Sequence, residues 1–225
     1  MIRYHRDLIQ GSDEWLEARC GMLTASEMKL IVTPTLKIAA NDKQRAHLWD
    51  LLAQRITRYV EPSYFNDDML RGQEDEIEAV ALYERHYAPV DTTVGFITND
   101  DIGFTLGCSP DGLVGDDGLI ECKSRRQRFQ AELIVTREIP PEHMIQLQTA
   151  MLVAGRSWVD YVSYCGGMPM VTIRVVPDEA TVVAIRSAAS AFEAALSLAV
   201  GQYGYGVVSL RTIPTTRRIE QEMHL

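Results

Sequence analysis

The chain has 225 residues, 46% hydrophobic and 24% charged, an ordinary globular composition with apolar residues enough for one sizeable core. No apolar run approaches the roughly 18 residues that span a bilayer, and the opening Met1-Ile2-Arg3-Tyr4-His5-Arg6-Asp7 has no secretion signal, so a cytoplasmic protein without membrane contact is expected. The net charge of −9 excludes a uniformly basic nucleic-acid coat.

The charges are nevertheless segregated. Residues 66–84 hold seven acids against Arg71 alone, and residues 123–137 hold five bases against Glu132. An acidic cluster next to a basic stretch suits a metal site beside a phosphate track; two solvated helix faces would give the same distribution. The cysteines Cys20, Cys108, Cys122 and Cys165 are scattered without a Cys-x-x-Cys pair, which fits reduced thiols better than a zinc or iron–sulfur site.

Along the chain, Ser12 or Asp13 is a plausible cap for a short first helix, stopped at Gly21. Thr24-Ala25-Ser26-Glu27 matches a capping box opening a second helix through Val32. Such a start favours anions; Arg19 lies just before it and Ser26 in its first turn, a possible phosphate grip or a plain cap with a surface arginine. After a break at 34–40, Asn41-Asp42 caps a helix over 43–60, ended by Glu61-Pro62. Residues 70–87 read as a long helix, with Gln73, Glu76, Val80, Tyr83 and Tyr87 on one stripe. Glu76 is the acid on that partly apolar face and needs a partner or a metal; Glu74, Asp75 and Glu78 read as solvated. Residues 90–98 look like a strand, 124–135 and 142–154 like helices, 158–164 and 170–176 like a hairpin turning at Gly166-Gly167, and 179–199 like a last helix. The glycine-rich 201–206 reads as loop, leading into a mildly basic end with Arg211, Arg217 and Arg218. The order predicts an α/β fold with a central mixed sheet of about five strands flanked by helices.

The stretch around which this order is organised is Gly107-Cys108-Ser109-Pro110-Asp111-Gly112, followed by Glu121-Cys122-Lys123. Residues 104–106 and 119–123 read as strands of one hairpin, turning at Asp116-Asp117-Gly118. Alternation along a strand puts Glu121 and Lys123 on one face, and Asp111 lies across the hairpin. Two carboxylates are hard ligands for Mg²⁺, and a lysine beside a metal-bound water can orient or deprotonate it. Pro-Asp, a spacer, then Glu-x-Lys resembles the PD-(D/E)xK nuclease signature; a surface hairpin with an incidental Glu and Lys is the bland alternative.

Five blocks in order point further. Residues 15–27, then Arg71-Gly72-x-x-x-Glu76, Cys108-Ser109-Pro110-Asp111-Gly112-Leu113, Glu121-Cys122-Lys123, and Met144-Ile145-Gln146-Leu147-Gln148 together resemble the lambda exonuclease / YqaJ viral recombinase family over about residues 10–176. The resemblance implies a restriction-endonuclease-like core, with residues 1–200 a single PD-(D/E)xK exonuclease domain and 201–225 a Gly/Tyr-rich tail. It implies Mg²⁺-dependent 5′→3′ digestion of one strand of duplex DNA, two ions per site with Mn²⁺ as a substitute. It implies a ring-shaped homotrimer acting on double-stranded DNA ends, with a single-strand annealing protein as partner. Carried over, Asp111 and Glu121 are metal ligands together with the Cys122 carbonyl; Glu76 is a further acidic ligand or water-orienting group. Lys123 activates the attacking water, Gln146 holds water or lysine, and Arg19, Ser26 and Ser109 grip the 5′-phosphate. In lambda exonuclease the loop after the second helix carries a basic wedge; here Thr33-Pro34-Thr35-Leu36-Lys37 has only Lys37 as a base. The alternatives are a restriction- or repair-type endonuclease and a non-catalytic DNA-binding relative.

Overall fold

The computed structural model describes residues 1–61 and 67–217. Two four-stranded mixed sheets are flanked by helices. The first runs β1 (Ile2–His5), β3 (Phe96–Asn99), β4 (Leu106–Cys108), β2 (Leu23–Thr24); the second runs β5 (Gly112–Val114), β6 (Gly118–Ser124), β7 (Trp158–Tyr164), β8 (Val171–Val175). Within each sheet one pair is parallel, β2 with β4 and β6 with β7, and the other pairs are antiparallel. Ser109-Pro110-Asp111 is the link between the sheets.

The α/β class expected from the sequence holds, but one sheet of about five strands becomes two of four. The extra strands are β1, β2 and β5, too short or too polar to stand out by alternation; pairing with β3, β4 and β6 makes them strands. The central hairpin is also re-partnered. Leu106 pairs with Asn99 in the first sheet, and β6 turns back onto β5 instead, with Gly118 opposite Val114. Gly115, at φ 57°, takes the left-handed position of that turn.

The helices fall close to their expected places. Ser12 accepts from the Trp15 amide to open α1 (Asp13–Arg19), and Asn41 accepts from the Gln44 amide to open α2 (Asp42–Thr57). The capping box at Thr24 and Glu27 is made, though the helix it opens is a 3₁₀ helix, Ala25–Leu30. Pro62, expected to end α2, lies outside the described residues, as does Arg218. The helix α3 spans Asp67–His86, α4 Gln127–Thr136 and α5 Pro141–Ala154, the last stopped by Gly155 in the left-handed region. Ser124 belongs to β6, so α4 starts three residues later than its pattern suggested.

The expectation for the C-terminal tail is corrected. The helix α6 spans Glu179–Ser209 and runs through Gly201, Gly204 and Gly206. Each glycine costs about 1 kcal/mol against alanine, but extension of a helix already nucleated upstream needs no new nucleus. Ile185, Ala188, Ala189, Phe192 and Leu196 bury one face of it in the core. By length and composition α6 could also cross a bilayer, a property hidden from a search for uninterrupted apolar runs.

Alternation on β6 and β7 sorts the two layers around the second sheet. Leu119, Val159 and Tyr161 join the main core with α5, while Ile120, Cys122 and Val162 pack with Ala79 and Tyr83 of α3 on the other face. Strand β6 is thus sandwiched, and its polar residues face whatever those helices bring to it.

Candidate active site

Glu121 is 3% exposed on β6. Its Oε1 accepts from Lys123 Nζ at 2.6 Å and from Gln146 Nε2 of α5 at 2.6 Å. The shared face expected for residues 121 and 123 is therefore present, and Gln146 joins it from the helix above. Asp111 lies at the mouth of the inter-sheet link, where its Oδ2 accepts from the Cys122 amide at 2.5 Å. Glu76 comes from α3.

Electrostatics bind these groups into one unit. Burial, then the charges of Glu121 and Glu76, push the Asp111 carboxyl well above the usual carboxylate range. Burial and the Glu121 charge raise Glu76 likewise. Burial works against the Lys123 ammonium, but Glu121 and Asp111 overcome it and hold that amine above its ordinary pKa. Burial, then Asp111 and Glu121, raises the Cys122 thiol, so the thiol is no thiolate ligand; what Cys122 offers toward the site is its backbone. Among the described residues no three His, Cys, Asp or Glu side chains close into a finished metal cage. The donor set still fits a hard divalent cation: Asp111, Glu121 and Glu76 are oxygen ligands of the kind Mg²⁺ takes, and their mutual repulsion is what a cation relieves.

A second group adjoins the first. A cavity of about 40 Å³ is lined by Arg19, Thr24, Ser26 and Ser109, and its far wall includes Glu121 and Gln146. Arg19 Nη2 donates to Thr24 Oγ1 at 3.2 Å and lies 3.8 Å from Glu27 Oε1. Its guanidinium sits 4.3 Å over the Trp15 ring. Trp15 Nε1 donates to Ser109 Oγ at 2.9 Å, so the indole braces both the arginine and the serine. All nine residues singled out by the sequence thus fall in two adjoining clusters, or, for Cys122, on β6 beside Glu121 and Lys123.

Comparisons with known proteins now bear on this geometry. A model of the YqaJ-like viral recombinase domain matches residues 14–157. The chain belongs to the YqaJ-like viral recombinase family. The crystal structure of an alkaline exonuclease, LHK-Exo from Laribacter hongkongensis, is 32% identical, with a TM-score of 0.78 over 88% of this chain and 98% of that one. The same protein in complex with dAMP gives 34% identity and a TM-score of 0.79 over the same shares. A phage-related exonuclease from Haemophilus somnus 129PT, 12% identical, shares the fold, with a TM-score of 0.61 over 81% of this chain and 96% of that one. No curated protein gives a significant match.

Several residues of this family member's site were missed in the sequence. Trp15 and Arg19 are one helical turn apart, the spacing at which side chains meet, and that was a usable signal. Asp75, read as solvated, accepts a hydrogen bond from Ser124 Oγ at the end of β6; its neighbours on α3 hid this. His143, one turn before Gln146, shares a hydrogen bond of 2.9 Å between Nδ1 and the Tyr161 hydroxyl. Burial, with Lys123, Arg125 and Lys29 nearby, lowers its pKa to about 3, so the ring is neutral at physiological pH.

Proposed function

We propose that this protein is a Mg²⁺-dependent exonuclease that digests one strand of double-stranded DNA 5′→3′ from a 5′-phosphorylated end, leaving 3′ overhangs for strand annealing. The observation that carries the reading is the shared wall: the Arg19–Thr24–Ser26–Ser109 cavity ends on Glu121 and Gln146. A terminal phosphate carries more negative charge than an internal one, and a fixed guanidinium with hydroxyls recognises that difference. With the end anchored there, the next phosphodiester falls toward the carboxylates, and one nucleotide is removed per step. The likeness to an alkaline exonuclease at 32% identity supports exonuclease chemistry.

In this reading Asp111, Glu121, the Cys122 carbonyl and Glu76 hold Mg²⁺, or Mn²⁺ in its place. When bound, the ion polarises the scissile phosphate and lowers the pKa of a water. Lys123 then has two duties. Its ammonium, favoured by the neighbouring Glu121 and Asp111, orients water and offsets charge on the phosphate. With a cation on those carboxylates that hold would weaken, and Nζ would then serve in moving a proton. Gln146 keeps Glu121 oriented throughout. A ring-shaped homotrimer on DNA ends, a single-strand annealing protein as partner, and a cytoplasmic location complete the proposal.

The test uses linear and covalently closed duplexes side by side. Linear 5′-phosphorylated DNA is expected to disappear in Mg²⁺ or Mn²⁺, to survive in EDTA, and closed circles to stay intact. Cleavage of the circles would make the protein an endonuclease. Binding of DNA ends without turnover in either metal would make it a non-catalytic relative.

A further inference from the structure

Glu76 is carried on α3, which covers the face of the second sheet opposite to the one bearing Glu121 and Lys123. Its reach toward the site therefore depends on how α3 stands against β6. Two polar tethers fix that relation. At the end of the catalytic strand, Ser124 Oγ donates to Asp75 Oδ2 and accepts from Arg71 Nε at 3.4 Å. Farther along, the Tyr83 hydroxyl donates to Asp160 Oδ2 at 2.6 Å. Asp160 is itself gripped by Arg174, Nε to Oδ1 and Nη2 to Oδ2 at 2.8 Å each. Arg174 in turn lies 3.6 Å over the Trp158 ring.

The second tether is deeply placed: Tyr83 is 1% and Asp160 4% exposed. A buried hydroxyl and carboxylate are costly unless they satisfy each other, so the pair tolerates little sliding. Apolar packing under α3, from Ala79, Val114, Ile120 and Val162, holds the helix down but is non-directional. The hydrogen bonds add direction and so fix register. Residues 76 and 83 are seven apart, two turns on one face and about 10 Å along the axis at 1.5 Å per residue. Asp75 is next to Glu76. The acid is thus carried between the two fixed points.

We propose that the Tyr83–Asp160–Arg174 anchor and the Ser124–Asp75 latch are positioning residues that set the register of α3 on β6 and so hold Glu76 toward the cation held by Asp111 and Glu121. This rests on the metal reading of Glu76 given above. None of the tethering residues touches the reacting atoms.

The test is Mn²⁺ binding by the full-length protein without DNA, measured by titration calorimetry, with thermal unfolding of the same samples. Tyr83→Phe keeps the ring and removes the hydroxyl; Ser124→Ala removes the latch; Asp75→Asn keeps an acceptor for Ser124. Tyr83→Phe and Ser124→Ala are each expected to weaken Mn²⁺ binding by roughly tenfold or more, as loss of groups that orient metal ligands does, while Asp75→Asn stays close to the unaltered protein. A lower Tm with unchanged Mn²⁺ affinity in both Tyr83→Phe and Ser124→Ala would overturn the proposal and leave the tethers as stability elements. Glu76→Gln is the control. If it binds Mn²⁺ as well as the unaltered protein, the metal reading of Glu76 itself fails, whatever the tethers do.

Discussion

Replacing Arg19 by alanine isolates end recognition from chemistry. The guanidinium is half-buried, its side chain 22% exposed, and burial lowers its pKa while Glu27 opposes that fall. It is held from three sides, by Thr24 Oγ1 at 3.2 Å, by Glu27 at 3.8 Å and by the Trp15 ring at 4.3 Å, so it is already organised before a phosphate arrives. A hydrogen bond to a charged group contributes about 1.5–3 kcal/mol, or about tenfold to over a hundredfold in rate. Glu27 neutralises part of the guanidinium charge, which places the expectation in the lower part of that range, about 10- to 40-fold. A 5′-hydroxyl end never makes the contact, so its digestion is expected to change little. The assay is the ratio of initial rates on 5′-phosphorylated and 5′-hydroxyl duplexes, for both proteins, at one salt concentration. Equal losses on both ends would refute the reasoning and make Arg19 a structural or general backbone contact.

Four further outcomes are expected. Lys123→Ala is expected to lose about a hundredfold to ten-thousandfold in turnover, the range of a lost proton-transfer group, while DNA binding by gel shift is retained; near-normal cleavage would remove Lys123 from the chemistry. Asp111 and Glu76 hold protons more tightly folded than unfolded, so the stability they contribute is fully present below the unfolded carboxylate pKa of about 4 and is lost as pH rises through the folded values. The Tm of metal-free protein should fall over that window, and saturating Mg²⁺ should flatten the fall; identical profiles with and without metal would contradict a shared carboxylate site. In Gly95→Ala the new Cβ would lie 1.9 Å from the Leu8 carbonyl oxygen; since Gly95 O also accepts from Trp15 Nε1, urea unfolding should show a loss of about 1–3 kcal/mol, together with a weaker preference for 5′-phosphate. Sedimentation at working concentration should show a trimer, and a monomer that still digests processively would exclude the ring.

The sequence carried the site better than the frame around it. Glu121 and Lys123 share a face because strands alternate, which needs no knowledge of neighbours. Gln146 became visible only when five ordered blocks were read together, since a glutamine within a helix is ordinary alone, and the same blocks decided between a phosphate grip and a plain cap for Arg19. The two-sheet architecture was hidden because β1 and β2 are made by pairing; the two residues Leu23–Thr24 have no period of their own, and only alignment with Leu106 and Gly107 makes them a strand. Helical Gly201–Ser209 was hidden because local propensity opposes it. Asp75 was hidden because four acids lie within five residues of α3, and only the position of Ser124 tells which of them faces inward.

Duplexes labelled at the 3′ end of one strand test the central claim most directly. With a 5′-phosphate on that strand and Mg²⁺ present, the label should remain in a ladder of shortening fragments, and EDTA should hold it at full length. Immediate release of the label as a mononucleotide would show digestion from the other end, and a ladder that persists in EDTA would show that the Asp111–Glu121 carboxylates do not work through a metal.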